Sequence, residues 1–211
     1  HPYLAIYFPR FFTDLFGPLG ILLIAYYSVK KIELDFIFII LSLILINLRA
    51  SLMPPLFFYA LYIFLKNFKR NRGINLPSLF LMILIFTNFF LYKGFSDTFI
   101  ENNNFYGNKL FNIIFILGFR EGAANEGFAA MFFYGGLNGY LQFIISISLL
   151  ILHSIGIYGL LKFVFAKNLY EILTILTVLI VPLIAISHMR YLLPIIPLLL
   201  FTFTWYFFRK N

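Results

Sequence analysis

The sequence contains no cysteine and few charged residues. Without cysteine, disulfide bonds, thiolate metal sites and a cysteine nucleophile are all excluded. Charged residues make up 11% of the 211 residues, while hydrophobic residues make up 62% and aromatic residues 21%. Soluble domains are about 45–50% apolar and about 25% charged, so one soluble core of this size would not hide so many apolar side chains. The composition therefore predicts a membrane protein.

Several motifs of soluble enzymes are also missing. The sequence has no Gly-rich phosphate loop ending in Lys-Ser or Lys-Thr and no His-Glu-x-x-His. It also has no paired histidines and carboxylates at ligand spacing within one apolar run. Nucleotide hydrolysis and zinc chemistry therefore have no support. We predict no cofactor and no metal ligand, and leave the use of a divalent metal open.

The apolar residues occur in runs that charged and polar residues divide. About 20 apolar residues cross a hydrocarbon core about 30 Å thick. On this basis we predict an all-α protein, a polytopic transmembrane helix bundle with about seven spans. The second and third runs are only about 14 or 15 residues long, so they form either a tight hairpin around Arg49 or tilted, partly re-entrant elements. The predicted spans are 15–29, 34–48, 52–65, 76–92, 140–161, 169–187 and 191–208.

The positive charges indicate an orientation. The formal net charge is +8, but the sixteen Lys and Arg residues are scattered at the ends of apolar runs and form no single face. Nucleic acid is therefore not a predicted partner. Lys and Arg near span ends are retained in the cytoplasm, and alternating the spans places ten of the sixteen on one side. We therefore predict a multi-pass protein of the cell inner (plasma) membrane, with an external N-terminus and a cytoplasmic C-terminus. The ten are Lys30, Lys31, Lys66, Lys69, Arg70, Arg72, Lys162, Lys167, Arg209 and Lys210.

One long connection interrupts the predicted spans. We predict that 93–139 is an external loop within a single transmembrane domain that covers 1–211, and loops of this length are usually functional or disordered. Within it, the apolar segment 109–117 is too short to span and is expected to form a short interfacial helix on the membrane surface. The chain begins with His1 in place of Met. From this we expect a fragment or processed chain that lacks N-terminal spans.

Charged and polar residues at the predicted outer ends of the spans are the candidate functional residues. Charged groups are costly in lipid, so their presence there favours a function. Each of them alone has an alternative interpretation as an interfacial anchor or a loop solubiliser. The candidates are Asp14 and Glu121 for catalysis, and Arg49, Arg120, His188, Arg190 and Tyr191 for substrate binding.

The densest polar cluster at a predicted span boundary is 187–191. Arg190 offers a planar charged fork that suits a phosphate or carboxylate, and His188 could donate to the same group or carry a proton. The alternative is that Arg190 extends its charge to lipid headgroups. Pro194 and Pro197 follow, and we expect them to open backbone carbonyls in the outer half of the last span, as happens where helices line a cavity.

The string R-Y-L-L-P-I-I-P-L-L-L at 190–200 resembles the late transmembrane segment of GT-C-type glycosyltransferases. These polytopic enzymes are related to dolichyl-phosphate-mannose protein mannosyltransferases and aminoarabinose transferases, and a (H/P)-x-R-Y-x-x-P-x-x-P segment starts a late span from the external face. The resemblance implies transfer of a sugar from a polyprenyl-phosphate carrier to an acceptor on the external, periplasmic face. Arg190 would then pair with the donor phosphate as negative charge develops on it. The family's acidic catalytic residues belong to an N-terminal region that has no match in this chain.

Other functions remain open alongside this resemblance. A surface-polysaccharide (O-antigen) polymerase or ligase also gathers external Arg and His residues around a pyrophosphate-linked glycan, and Arg120 with Glu121 suits it equally well. A transporter or flippase without glycosyl-transfer chemistry would be favoured by acidic residues or broken helices at mid-bilayer. A structural membrane subunit is a third class. The predicted partners are a lipid-linked sugar donor and membrane lipids.

Two isolated polar residues have simple structural interpretations. His153 lies alone in the fifth predicted span, where we expect a hydrogen-bonded structural histidine. Glu171 begins the sixth predicted span near the cytoplasmic interface. We interpret it as a first-turn helix acid, since a carboxylate near a helix N-terminus is stabilised by the helix dipole.

Overall fold

The fold is helical wherever the structure describes it. A computed structural model describes residues 16–69, 73–91, 136–180 and 194–208. In these ranges the chain forms helices joined by short turns and contains no strand, so the predicted all-α class is confirmed for this part of the chain. The elements are α1 (Phe16–Lys30), α2 (Phe36–Leu48), a 3₁₀ turn (Ala50–Leu52), α3 (Met53–Lys69), α4 (Leu76–Leu91), α5 (Gly136–Lys167), a 3₁₀ helix (Tyr170–Ile180) and α6 (Ile196–Phe208).

Each of the seven predicted apolar runs overlaps one of these longer helices. Of the two arrangements expected for the second and third runs, the structure has the hairpin, since only Arg49 and one 3₁₀ turn separate α2 from α3. Two predicted boundaries are wrong. Helix α5 begins at Gly136, inside the range predicted as loop, and continues to Lys167. The segment 109–117 and most of the predicted loop lie outside the described residues.

Side chains fix the starts of α2 and α4. Asp35 precedes α2 and accepts a hydrogen bond from the backbone N–H of Phe38 at 2.8 Å. Asn75 precedes α4 and accepts from the N–H of Ser78 at 2.9 Å. The first N–H groups of a helix have no partner within it, so these oxygens satisfy donors that would otherwise be unpaired. Asp and Asn therefore mark where the apolar runs become helical.

The ends of α1 and α5 share a second kind of cap. Lys31 and Asn168 each follow their helix with a positive φ, of 53° and 52°. At both ends an N–H donates to the carbonyl five residues earlier, from Ile32 to Tyr27 at 3.1 Å and from Leu169 to Val164 at 3.0 Å. This is the Schellman arrangement, in which a left-handed residue closes the last helical turn and reverses the chain.

Contacts between elements show that the helices run alternately up and down. At one end, Lys66 near the end of α3 lies beside Glu171 at the start of the 3₁₀ helix. At the opposite end, Gly17 of α1 packs on Pro194, just before α6. The aromatic rings of Phe38 and Tyr59, 5.5 Å apart, likewise join the start of α2 to α3. The short turns that the structure describes, after α1, after α2 and after α5, therefore join antiparallel elements.

This alternation separates the charges of the described residues into two groups. Six lysines lie at the end that includes the close of α1, α3 and α5, which we call the lysine end. Arg49 lies at the other end, which we call the Arg49 end. Of the acidic residues that the structure describes, Glu33, Asp35 and Glu171 are all at the lysine end. The six lysines are Lys30, Lys31, Lys66, Lys69, Lys162 and Lys167.

Helix α6 packs mainly on α5, and small residues let the two backbones approach closely. The Thr202 hydroxyl donates to the Gly156 carbonyl at 2.8 Å. A Cβ on Gly156 would lie 2.9 Å from the Leu199 carbonyl oxygen, and one on Gly159 would lie 2.6 Å from the Thr202 carbonyl oxygen. Only glycine fits at these contacts. Glycine contacts with an interhelical hydroxyl bond are typical of helices that associate in lipid.

Many large apolar side chains stay uncovered on the outside of the bundle. Phe36, Ile37 and Leu76 are each more than 60% exposed. Among the described helices, one stretch is long and apolar enough to cross a membrane, Ile147–Lys167, with 21 residues and a mean hydropathy of 1.9. A third of this stretch is buried inside the protein. The other apolar helices of the described ranges have 10–17 residues.

We predict that Gly159→Leu destabilises the bundle, because the added side chain must separate α5 from α6. Overpacking of this kind costs about 1–3 kcal/mol of unfolding free energy. Ser154→Leu adds similar bulk at an exposed position of the same helix and should have little effect. Thermal unfolding of both variants in detergent measures the difference, and equal midpoints would contradict the packing described.

Candidate functional site at the Arg49 end

One of the seven predicted site residues lies within the described ranges. Arg49 does, and it joins α2 to the 3₁₀ turn that precedes α3. The others lie outside the described residues, so their predicted roles stay predictions. These are Asp14, Arg120, Glu121, His188, Arg190 and Tyr191.

The backbone of Arg49 makes the hairpin possible. Its φ of −148° and ψ of 92° are extended, which ends α2 after one apolar run. Its N–H still donates to the Leu45 carbonyl at 2.8 Å, and its own carbonyl accepts from the Leu52 N–H at 3.0 Å. The residue therefore belongs to both helices, and its partly buried side chain lies at the turn between them.

Three elements that adjoin predicted site residues meet at this end. A Cβ on Gly17 would lie 2.9 Å from Cγ of Pro194, and one on Gly20 would lie 2.6 Å from Cδ1 of Leu52. The start of α1 therefore packs against both the α2–α3 hairpin and the turn before α6. In the sequence, Asp14 shortly precedes Gly17, and Arg190 shortly precedes Pro194.

The prolines before and within α6 act differently from the prediction. Pro194 lies in a turn, and Pro197 is the second residue of α6. A proline in the first turn removes an N–H that has no helical partner in any case. The Leu199 N–H donates to the Ile195 carbonyl at 2.9 Å, so the helix forms normally from its start. The expectation that these prolines open carbonyls within a span is therefore wrong, since they begin the helix.

A wholly apolar groove lies near Arg49. It has a volume of about 380 Å³ and is formed by the start of α3, the end of α4 and the last residue of the 3₁₀ helix. We call it the Phe57 groove. Sequence reasoning missed this groove. The chain has thirty phenylalanines, so the four that line the groove do not stand out in the sequence. The lining residues are Met53, Pro54, Phe57, Phe58, Ile85, Phe86, Phe89 and Ile180.

Sequence reasoning also missed a polar cluster at the lysine end. Glu171 lies in the first turn of the 3₁₀ helix, as expected, and it is buried, with 4% of its surface exposed. Its Oε1 lies 3.6 Å from Nζ of Lys66. The buried hydroxyls of Tyr59 and Ser28 interact nearby. Lys66 and Glu171 are far apart in the sequence, so no local sequence pattern could have indicated their ion pair. We call Glu171, Lys66, Tyr59 and Ser28 the Glu171 cluster.

A further buried titratable group is His153. It is 1% exposed within α5 and has an interaction partner, as a structural histidine would. Across the ranges that the structure describes, no group of three or more His, Asp or Glu side chains is placed to hold a metal ion.

Comparisons with known proteins leave the resemblance as the sole link to a family. Searches against protein-family models, curated proteins and solved structures find nothing that matches this chain. The GT-C resemblance of 190–200 therefore remains a prediction that the sequence alone carries.

We predict that cysteines introduced as Gly17→Cys and Pro194→Cys form a disulfide under mild oxidation, because the two positions are in contact. The chain has no cysteine of its own, so loss of labelling by a thiol reagent reports the bond directly. The control pairs Gly17→Cys with Thr204→Cys, about 15 Å further along α6 at 1.5 Å per residue. Equal labelling of both pairs after oxidation would refute the contact.

Proposed function

We propose that the protein is an integral membrane glycosyltransferase that moves a sugar from a polyprenyl-phosphate carrier to an acceptor on the external face. The observation that carries this proposal is the contact of α1 with both the α2–α3 hairpin and the turn before α6. These three elements adjoin Asp14, Arg49 and Arg190 in the sequence. Their meeting at one end supports a single site, and from the R-Y-L-L-P resemblance we interpret it as a phosphate-sugar site.

Three observations support a multi-pass membrane location with the lysine end in the cytoplasm. The large apolar side chains on the outside of the bundle are suited to lipid. Ile147–Lys167 has the length and composition of a span. Lysines gather at one end, which the positive-inside rule assigns to the cytoplasm. Helices of about 13 residues reach only about 20 Å, so the bilayer around α2 and α6 is expected to thin locally.

In the proposed site, two surfaces bind different parts of the donor, one its phosphate and the other its isoprenoid chain. Arg190 pairs with the donor phosphate, and Arg49 and His188 hold the charge at the same end. The Phe57 groove takes the isoprenoid chain, since its lining is entirely apolar and burial of each CH₂ group contributes about 0.8 kcal/mol. Asp14 or Glu121 supplies the acid–base function toward the acceptor.

A transporter or flippase is the second candidate, and the Glu171 cluster favours it. An ionisable residue buried among apolar membrane helices is by default a candidate for an ion or proton pathway. The 3₁₀ helix that carries Glu171 is 11 residues long, whereas such helices rarely exceed 3–4 residues and often mark hinges. A polysaccharide polymerase or ligase has no described residue in its favour.

We predict that Arg190→Ala reduces sugar transfer about 100- to 1,000-fold, which corresponds to about 2.7–4 kcal/mol in the barrier for a lost contact to developing charge. Arg190→Lys should also lose much of the activity, because it keeps the charge but not the bidentate fork. The assay follows transfer from a labelled polyprenyl-phosphate sugar in nanodiscs.

The matched control is Lys69→Ala, which removes a cation from the lysine end and should leave transfer unchanged. Near-normal transfer by folded Arg190→Ala protein would remove Arg190 from the site. If no variant or wild-type preparation transfers sugar, while the protein moves a substrate across vesicles, the transporter candidate replaces the proposal.

A further inference from the structure

Two tyrosine rings and one ammonium meet where α5 and α6 lie side by side near the lysine end. The rings of Tyr158 in α5 and Tyr206 in α6 have centroids 5.3 Å apart and are nearly perpendicular, at 81°. Nζ of Lys162 lies 5.5 Å from the centroid of the Tyr158 ring. All three side chains are exposed. We call Tyr158, Lys162 and Tyr206 the Tyr158 site.

The packing of α5 on α6 fixes this arrangement. Gly156 packs on Leu199. Three residues later in both helices, Gly159 packs on Thr202, so α5 and α6 are parallel and both end toward the lysine end. A Cβ on Gly159 would also lie 3.4 Å from Cβ of Tyr206. Close approach of the two backbones therefore brings polar side chains of two helices into one exposed patch.

The polar groups of the Tyr158 site suit a phosphate. A phenol O–H can donate a hydrogen bond, and an ammonium has three donors and no acceptor. Bonds from an ammonium to a phosphate are roughly twice as strong as neutral hydrogen bonds. The Lys162 ammonium lies over the Tyr158 ring and repels a second cation, so the ring is a poor site for the choline of a zwitterionic headgroup, which otherwise binds aromatic faces. This chemistry favours a headgroup without a cation of its own.

An apolar stripe leads away from the site along α5. Ile144, Ile147 and Ile151 are exposed, and their spacing of three and four residues places them on one helix face. Ile151 and Ile147 lie about 10 and 16 Å from Tyr158 along the axis, at 1.5 Å per residue. One leaflet of hydrocarbon is about 15 Å deep, half of a core of about 30 Å. The stripe therefore has the length of an acyl chain whose headgroup lies at the Tyr158 site.

The charge around the site favours a lipid with a net negative charge. Lys167 lies exposed in the last turn of α5, and Arg209 and Lys210 follow α6 in the sequence. Clusters of cations at the cytoplasmic ends of spans attract anionic lipids. The described acids of the lysine end belong to other elements, namely the turn after α1 and the 3₁₀ helix. They are Glu33, Asp35 and Glu171.

We propose that the Tyr158 site binds an anionic phospholipid of the membrane. Its phosphate accepts from the Lys162 ammonium and the two tyrosine hydroxyls, and an acyl chain lies along the stripe from Ile144 to Ile151. The lipid thereby holds α5 and α6 together near the lysine end. The proposal rests on the membrane location proposed above and is independent of sugar transfer.

The single tryptophan of the chain can report a lipid at this site. Trp205 directly precedes Tyr206 in α6, and its ring lies 5.2 Å from that of Phe163 in α5. Bromine atoms on acyl chains quench tryptophan fluorescence by contact. Nanodiscs of one fixed mixture of phosphatidylglycerol and phosphatidylcholine are prepared with either lipid brominated at the same low mole fraction. Brominated phosphatidylglycerol should quench the wild-type protein more strongly than brominated phosphatidylcholine.

Variants locate this preference. Lys162→Gln should lower the preference for phosphatidylglycerol about fivefold, the effect of one lysine beside an anionic lipid. Tyr206→Phe keeps the ring, removes one donor and should also lower the preference. Lys167→Gln is the matched control, because it removes an equal charge from the same helix outside the site, and it should keep most of the preference. Each preference is a ratio measured within one variant, so a change in the brightness of Trp205 cancels.

Three results would overturn the proposal. Equal quenching of the wild-type protein by the two lipids would remove the anionic preference and leave the membrane location intact. Equal losses in Lys162→Gln and Lys167→Gln would indicate diffuse attraction to a positive end, with no lipid site at Tyr158. Quenching by neither lipid would contradict the membrane location as well. If Lys162→Gln does not fold, Tyr206→Phe decides, since the proposal requires its preference to fall, and a protein without transferase activity gives the same test.

Discussion

The cost of placing a charge among apolar side chains governs where the polar residues of this chain lie. The described helices are apolar along most of their length, and the described lysines occur at or near the ends of α1, α3 and α5. Lys162 lies furthest from a helix end, and its ammonium lies 5.5 Å from the Tyr158 ring. An interfacial lysine typically extends its charge in this way while its stem stays packed. The positions of the lysines therefore determine which helix ends lie on the same side of the bundle.

Short connections between helices bring residues that are distant in the sequence to the same end of the bundle. Arg49 and one 3₁₀ turn suffice to reverse the chain between α2 and α3. Lys31 and Asn168, both at positive φ, close α1 and α5 at the lysine end. The helices that these described turns join are therefore antiparallel to the elements that follow them. Lysines that are distant in the sequence gather at one end as a result, and the elements next to Asp14, Arg49 and Arg190 meet at the other.

The sequence predicts the helices well because each one is a separate apolar run. It also gives the hairpin at Arg49 as one of two arrangements of the short second and third runs, the other being tilted, partly re-entrant elements. The 3₁₀ geometry of Tyr170–Ile180 was not predictable, because a run that is apolar on every side has no period to distinguish it from an α-helix. Glu171 lies in the first turn of its helix, as expected, but its burial was not predictable. Its burial depends on Lys66 of another helix, and a local pattern does not show a tertiary ion pair. The candidate site rests on sequence reasoning for every residue except Arg49.

Labelling of introduced cysteines in intact cells tests the central claim, that the bundle crosses the membrane with the lysine end in the cytoplasm. The chain has no cysteine to interfere. Ala166→Cys marks an exposed position at the lysine end, and Asn103→Cys marks the long predicted loop. An impermeant thiol reagent should label the Asn103→Cys protein in intact cells and the Ala166→Cys protein only after lysis. Labelling of Ala166→Cys in intact cells, with Asn103→Cys protected, would contradict the orientation, and equal labelling of both would contradict a membrane-spanning bundle.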